Sequence, residues 1–251
     1  MNKNLKTIAG TRVNTFLEPF NLKITRSKRH FSDYRDYIPF KETIAGAKQA
    51  NLSVGDYIDT KHNRSGATQD TIDEMTRLGV FAKKIDRVCE IGPGSGRYLD
   101  RVLKLSEPSH YEIYETAKDW SQWLAQQYDL IVRPTDGKSL AHTPSESIDL
   151  IQAHKVLSGL PFLFVIRYLE EMARVTCKEG KIVFDIATEE CFDDNILDNW
   201  LAKDRGYQYY PCIIPKQFTI DFLSRRNCKF VDSFFIPMKP GKTECMVFVK
   251  Q

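Results

Sequence analysis

Three carboxylates and three glycines stand in places where they could share one ligand. In DRVCEIGPGSGRYLDRV, residues 86–102, Glu90 precedes Gly92, Gly94 and Gly96; Glu115 closes HYEIYE, and Asp136 lies in PTDGKSL. A glycine-rich turn between a strand and a helix often holds a phosphate, because helix N-terminal amides point at an anion. This turn is unsuited to one. Pro93 removes a backbone donor from its middle, and the glycines are spaced G-x-G-x-G, not the G-x-G-x-x-G of dinucleotide folds. Glu90 would repel a pyrophosphate and suits a cationic ligand. Glu115 is placed to accept both hydroxyls of a ribose, and Asp136 to accept from an adenine amine. Each acid alone also reads as a helix cap or a solvated turn residue. At the carboxyl ends of three successive strands, they line one crevice.

The elements that must position them follow from residue 86. RVCEI reads as strand one and GRYLDRVLKL as its helix; HYEIYE is strand two. AKDWSQWLAQQY is the next helix, with Trp120, Trp123 and Leu124 on one face. DLIVRP and SIDLIQAH are strands three and four. A helix then runs through PFLFVIRYLEEMARVTCKEG, with Gly180 as its stop, before strand five, KIVFDIA. This alternation builds a parallel sheet with helices on both faces. CKFVDSFFIP and TECMVFVK are separated only by MKPGK, too short for a parallel crossover, so they form an antiparallel hairpin. The domain proper is 86–251, preceded by a leader and cap segment, 1–85. That leader reads as a short amphipathic helix (Val13, Phe16, Leu17, Phe20), an extended NLKIT and the aromatic, basic KRHFSDYRDYIPF. A loop-like NLSVGDYIDTKHNRSGATQ follows, then a helix over DTIDEMTRLGVF with Asp70 as its N-cap.

Composition excludes several classes. At 251 residues, 42% hydrophobic and 27% charged, the chain is neither disordered nor membrane-spanning. No apolar run approaches the roughly 20 residues that cross a bilayer. The N-terminus lacks a signal peptide's apolar centre. The six cysteines include no C-x-x-C pair, which argues against zinc and a disulfide framework and for a cytoplasmic setting. A net charge of +3 is too small to argue for nucleic acid. It is uneven: residues 1–50 carry ten Lys/Arg against four Asp/Glu. That excess is either a solvated basic arm or a docking surface for an anionic membrane or a partner in a biosynthetic complex.

EIGPGSG, YEIYE, TDG, IDLIQAH and the terminal hairpin together resemble a class I S-adenosylmethionine-dependent methyltransferase over 86–251. The resemblance implies an α/β, Rossmann-like fold: a seven-stranded, mainly parallel sheet with helices on both faces and a C-terminal antiparallel hairpin. It implies S-adenosylmethionine as cofactor. Gly92, Pro93, Gly94 and Gly96 would let the backbone approach the methionine part, and Glu90 would orient its ammonium group. Glu115 with Thr116 would take the ribose hydroxyls, and Asp136 with Gly137 the adenine. The leader loop would fold over the cofactor with Tyr57 and Thr68 near its methionine end. PFNLKITR and GDYIDTKHNRSGATQDTIDEM are also similar to leader segments of sugar O-methyltransferases from bacterial surface-polysaccharide biosynthesis. A saccharide hydroxyl is therefore the first expected acceptor. A small-molecule or natural-product methyltransferase, and a non-catalytic module keeping the fold, remain open.

Methyl transfer to a hydroxyl needs positioning and removal of a proton. His154, ending strand four in QAHK, is the first candidate base; an unperturbed imidazole titrates near pH 6.5. Packing near the cofactor is its alternative role. His62, on the leader loop, is the second. The acids of DIATEECFDD (Asp185, Glu189, Glu190, Asp193, Asp194) suit Mg²⁺, but acids opening a helix are favoured by its dipole alone, and no second ligand pair follows. No metal is expected. Tyr207, Tyr209 and Tyr210 could stack on a sugar or aromatic substrate, or pack in the core.

Overall fold

The computed structural model describes residues 38–202, 212–238 and 241–251. Three helices come first: α1 (Phe40–Gln49), α2 (Val54–His62) and α3 (Ala67–Arg77). Then strands and helices alternate: β1 (Arg87–Ile91), α4 (Arg97–Ser106), β2 (His110–Tyr114), α5 (Lys118–Gln127), β3 (Ile131–Val132) and β4 (Ile148–Ala153). The rest is α6 (Phe162–Val175), β5 (Thr176–Ile186), α7 (Asp194–Leu201), α8 (Lys216–Ser224), β6 (Cys228–Met238) and β7 (Gly241–Lys250).

The sheet has seven strands in the order β3-β2-β1-β4-β5-β7-β6. β1 to β5 are parallel, and β7 runs antiparallel to both β5 and β6. The chain steps outward from β1 to β3, then returns to start again at β4 on the other side of β1. That reversal opens a crevice over the carboxyl ends of β1 and β4, the usual ligand position of such sheets.

Strand alternation divides the core into two layers. Ile151, Ile182, Phe184 and Phe248 face α6 and α8 with Leu169, Met172 and Leu223. Val88, Ile113, Leu150, Val183 and Val247 face the other way, against Ile72 and Met75 of α3, Leu99 and Val102 of α4 and Leu124 of α5. Each layer is a continuous apolar cluster, so the central strands are mostly apolar on both faces, interrupted by Glu90, Glu112, Asp149 and Gln152.

Several sequence expectations are corrected. The loop expected over 51–69 holds a helix, α2, capped by the Ser53 hydroxyl accepting from the Asp56 amide. α3 starts at Ala67 behind Gly66 in the left-handed region (φ 80°), so Asp70 is not its cap but a first-turn acid paired with Arg64. α6 ends at Val175 and passes straight into β5, and Gly180 does not stop it. Instead Gly180 closes a local excursion: β5 advances from Thr176 to Lys181 while β4 advances only from Ile148 to Leu150. A Cβ at Gly180 would lie 2.9 Å from the Ile148 carbonyl. β3 is two exposed residues rather than six. The amphipathic helix and NLKIT expected before residue 38 lie outside the described residues.

The leader helices are pinned to the sheet domain by one buried ion pair. Asp59 of α2 accepts from Arg97 Nη1 at 2.7 Å, with side chains only 3% and 10% exposed. Gly55 makes the approach possible, since a Cβ there would sit 3.0 Å from the Arg97 Cβ. Removing one partner of a buried pair leaves an uncompensated charge, typically costing about 3–5 kcal/mol. Asp59→Ala should therefore lower the thermal midpoint by several degrees more than Asp56→Ala, which removes a half-exposed pair with Arg101 and an exposed bond from the Ser53 hydroxyl. Equal midpoints in calorimetry would show that Arg97 is solvated.

Candidate functional site

None of the three glycine amides of the turn is left for an anion. Gly92 N donates to the Tyr114 carbonyl (2.8 Å), Gly96 N to the Pro93 carbonyl (2.9 Å), and Gly94 N to Glu115 Oε2 (2.8 Å). All three glycines have positive φ, at 62°, 52° and 71°. Gly92 and Gly96 are also sterically required: a Cβ would meet Val156 at 2.6 Å and Leu124 at 2.5 Å. Gly94 differs, because a Cβ there would meet nothing within 4 Å. Backbone is thus bared to open space at the centre of the turn, where a ligand could lie against it.

Two of the three acids, Glu115 and Asp136, stand in the loops beside that opening, while Glu90 is enclosed within β1. Glu115 accepts from Gly94 N through Oε2 and from Ala117 N through Oε1 (2.8 Å). Burial raises its carboxyl above the ordinary value, against the pull of those amides. Two amide bonds leave lone pairs on both oxygens for further donors. Asp136 Oδ1 accepts from the amides of Lys138 (3.0 Å) and Ser139 (2.8 Å), folding the loop after β3 into a turn. Burial works against its charge, but these amides and Lys138 outweigh it and hold the carboxyl below its usual range. Gly137, at φ 73°, brings its Cα side to Thr116: a Cβ would stand 3.5 Å from the threonine methyl. The loops after β2 and β3 therefore meet. Gly92, Pro93, Gly94, Gly96, Glu115, Thr116, Asp136 and Gly137 form one rim.

Behind the rim lies a buried polar cluster. Glu90 is 1% exposed and accepts from Tyr111 Oη (2.5 Å) and Gln152 Nε2 (3.1 Å). Burial raises its carboxyl to about 7, although both bonds favour the anion. His154 shares its strand face with Gln152, two residues away, and stacks on Tyr98 at 4.0 Å between centroids. It is 5% exposed, and neither ring nitrogen has a partner; nor has Gln152 Oε1. Burial pushes the imidazole down to about 4, despite the carboxylate of Asp185 nearby. This corrects the expected titration near 6.5: His154 is enclosed and neutral around pH 7, not presented at the crevice mouth.

The leader residues are placed differently from expectation. Thr68 is buried, donating its hydroxyl and amide to Asp59 (both 2.9 Å), so it anchors α3 to α2. Tyr57 packs on α1, where a Cβ at Gly46 would collide with its hydroxyl, and Lys61 donates to that hydroxyl at 3.4 Å. His62 ends α2 on an exposed side chain. Tyr207, Tyr209 and Tyr210 lie outside the described residues.

Sequence reasoning missed the groups that hold the site. Asn63, with its amide oriented to suit its neighbours, accepts from Arg97 Nη1 (3.0 Å) and donates to the Pro237 carbonyl (3.0 Å). Arg97 lies over the Tyr98 ring at 5.0 Å. Lys155, after His154, donates its amide to Asp185 Oδ1 (2.5 Å) and its Nζ to Thr243 Oγ1 (2.6 Å). The available signal was Gln-Ala-His-Lys, polar residues ending an apolar strand. Asp185 is thus engaged with Lys155, Glu189 accepts from the Lys216 amide, Glu190 pairs with Lys216, and Asp193 caps α7. Among the described residues no group of three or more His, Cys, Asp or Glu could hold a metal ion.

A concavity of about 1090 Å³ opens elsewhere, walled by Arg167, Glu170, Arg174, Arg226 and Lys250. It shares no residue with the turn or the three acids, and Arg174 and Arg226 are already paired with Glu171 and Glu170. It carries no chemistry comparable with the crevice.

The two buried titratable groups give stability opposite pH dependences. Glu90, raised from 4.5 to about 7, holds its proton more tightly when folded, so its contribution falls as pH rises across that window. His154, lowered from 6.5 to about 4, contributes stability above 6.5 that is lost as pH falls toward 4. Each difference is worth about 3 kcal/mol. Glu90→Gln should therefore be more stable than the parent at pH 8, with the gain shrinking toward pH 4.5. A pH-independent difference in denaturant titrations would show that Glu90 is not desolvated.

No protein-family model and no curated protein matches the sequence. Solved structures do. The chain is similar to magnesium protoporphyrin IX methyltransferase from Synechocystis PCC 6803 with bound S-adenosylmethionine (TM-score 0.60, 12% identity, 90% of this chain and 100% of that one). It is similar to the N-methyltransferase NodS from Bradyrhizobium japonicum WM9 in complex with S-adenosyl-L-homocysteine (0.53, 14%, 72% and 86%). It also resembles a structure from Haloferax volcanii of a complex with the methyltransferase activator Trm112 (0.60, 13%, 88% and 98%). No described helix is long and apolar enough to cross a membrane. With its strand order and its reversed β7, the chain has the class I S-adenosylmethionine-dependent methyltransferase fold.

Proposed function

We propose that the protein is an S-adenosylmethionine-dependent methyltransferase whose acceptor is a saccharide hydroxyl. The observation that carries the first half is the Gly94–Glu115 bond, which turns the glycine loop from an anion nest into a cradle with acidic walls. The residues fit the cofactor. Open space over Gly94 accommodates the methionine part, the spare lone pairs of Glu115 match ribose hydroxyls, and Asp136 matches the adenine amine. A cationic ligand beside Glu90 would favour its buried anion. When bound, the sulfonium supplies an electrophilic methyl group. The chain's own work is to bind, to orient the acceptor and to take up a proton.

The saccharide half is supported by the resemblance of the leader segments to sugar O-methyltransferases. A non-catalytic module would have no use for Glu115 and Asp136 beside an open glycine turn with the buried Glu90 behind them. Calorimetry with S-adenosylmethionine and S-adenosylhomocysteine should give micromolar binding. Glu115→Gln should weaken it tenfold or more, because two hydrogen bonds to a charged acceptor are each worth about 1.5–3 kcal/mol. Unchanged affinity in that variant would remove Glu115 from the ribose site. A methyl-transfer screen on free and nucleotide-linked sugars, with phenols and amines as controls, tests the acceptor. Turnover confined to the controls would replace the saccharide, and binding without any turnover would favour the module. Turnover should survive EDTA; loss restored by Mg²⁺ would return attention to Asp185 and its neighbours.

A further inference from the structure

We infer that Lys155, not His154, is the group at the end of β4 that takes the acceptor's proton. The inference rests on the methyltransferase reading above and deepens it. Two titratable side chains follow one another where β4 opens onto the crevice, and their surroundings separate them. Both His154 nitrogens are enclosed in the protein, behind a ring stacked on Tyr98. Lys155 retains 13% exposure of its side chain.

The fold holds this lysine in a costly conformation. Its φ is +60°, the left-handed region, which brings the Cβ of an L residue too close to the following carbonyl. A buried carboxylate maintains it: Asp185 of β5 accepts the Lys155 amide through Oδ1. The other oxygen, Oδ2, accepts from Thr243 Oγ1 of β7 (2.5 Å) and lies 3.4 Å from Lys155 Nζ. Nζ itself donates to Thr243 Oγ1. Two of its directions are thus held by β5 and β7, and in the inferred role the third meets the acceptor. Strain of this kind, over-determined by its surroundings, is commonly found at functional sites.

The charges facing Lys155 are Asp185 from β5 and Arg97 from α4, and its uncharged titratable neighbours are the buried thiol of Cys245 on β7 and the neutral His154. Burial lowers the ammonium below the ordinary lysine range, Asp185 opposes that, and Arg97 reinforces it. A neutral amine is therefore reached at lower pH than on an exposed lysine. The acceptor's O–H bond gives its proton to the Nζ lone pair, and the bond's electrons stay on oxygen for the methyl group. The resulting ammonium is held by Asp185 and Thr243 until water removes the proton.

Competitive acetylation with acetic anhydride from pH 6 to 11, read by mass spectrometry on the folded chain, tests this without an acceptor. Lys155 should label, and should reach half-reactivity at lower pH than the exposed Lys84 and Lys104. It should keep that reactivity with saturating S-adenosylhomocysteine. An unreactive Lys155, or one titrating with or above the exposed lysines, overturns the inference. On any hydroxyl acceptor from the screen, Lys155→Ala and Lys155→Arg should both lower kcat by about 10² to 10⁴. Both should also flatten its alkaline rise and change KM little. Arginine preserves the charge and its pairing with Asp185, so normal turnover in Lys155→Arg also overturns it. Calorimetry on the same samples keeps the two readings apart: failure of wild-type S-adenosylhomocysteine binding sinks the methyltransferase reading, whatever the labelling shows.

Discussion

The architecture of the crevice depends on one buried guanidinium. Arg97 follows the last glycine of the turn, so its position and that of the bared Gly94 backbone are fixed together. Its charge is balanced by Asp59 on α2, and Asn63 links it to the Pro237 carbonyl of β6. One side chain therefore joins the turn, the leader helices and the C-terminal hairpin, three parts far apart in sequence. Arg97 also disfavours protonation of His154 and Lys155 and favours the anion of Glu90. Burial makes such effects large, because little water remains to screen them.

The sign of the ligand is decided by hydrogen-bond supply rather than by glycine count. A phosphate-binding turn works because its amides are unsatisfied. Here every glycine amide has a protein acceptor, and one of those acceptors is itself a carboxylate. What remains facing the opening is acceptor capacity, suited to hydroxyls, amines and a cation. The division of labour across the sheet follows: β1, β2 and β3 present acids, while β4, β5 and β7 hold the Lys155–Asp185–Thr243 group.

The sheet and the rim were legible because both are written locally. Apolar strands, the G-x-G-x-G spacing and acids at strand ends each depend on a few adjacent residues, as does the short link that forces the final hairpin. Expectation failed where long-range contacts decide. α2 reads as loop because Gly55, Ser53 and Asn63 are poor helix formers; its helix is supported by packing on α4 and by Asp59 meeting a residue 38 positions away. Thr68 looked like a ligand contact and is an anchor for the same reason. His154 reads as the last residue of strand four and lies just past the end of β4; its burial depends on Tyr98 of a different element, so its low basicity could not be read from QAHK. Gly180 looked like a helix stop, while its role depends on the carbonyl of Ile148 in the neighbouring strand.

Among the described residues, the hairpin that completes the sheet also sets a long strand at its margin. β6 is an outer strand of eleven residues, and Val231 and Phe235 on it are exposed. An unbroken outer strand of that length offers its ladder groups to any other extended chain, the starting point of edge-to-edge aggregation. Two features interrupt it. Val231 is an extra residue between Phe230, opposite Phe248, and Asp232, opposite Val247, so the strand bulges there. Pro237 lacks an amide near the other end. The opposite margin, β3, is too short to recruit a partner. A deletion that restored perfect register at Val231 would remove that misfit from the ladder and leave Pro237 as the remaining interruption of the margin.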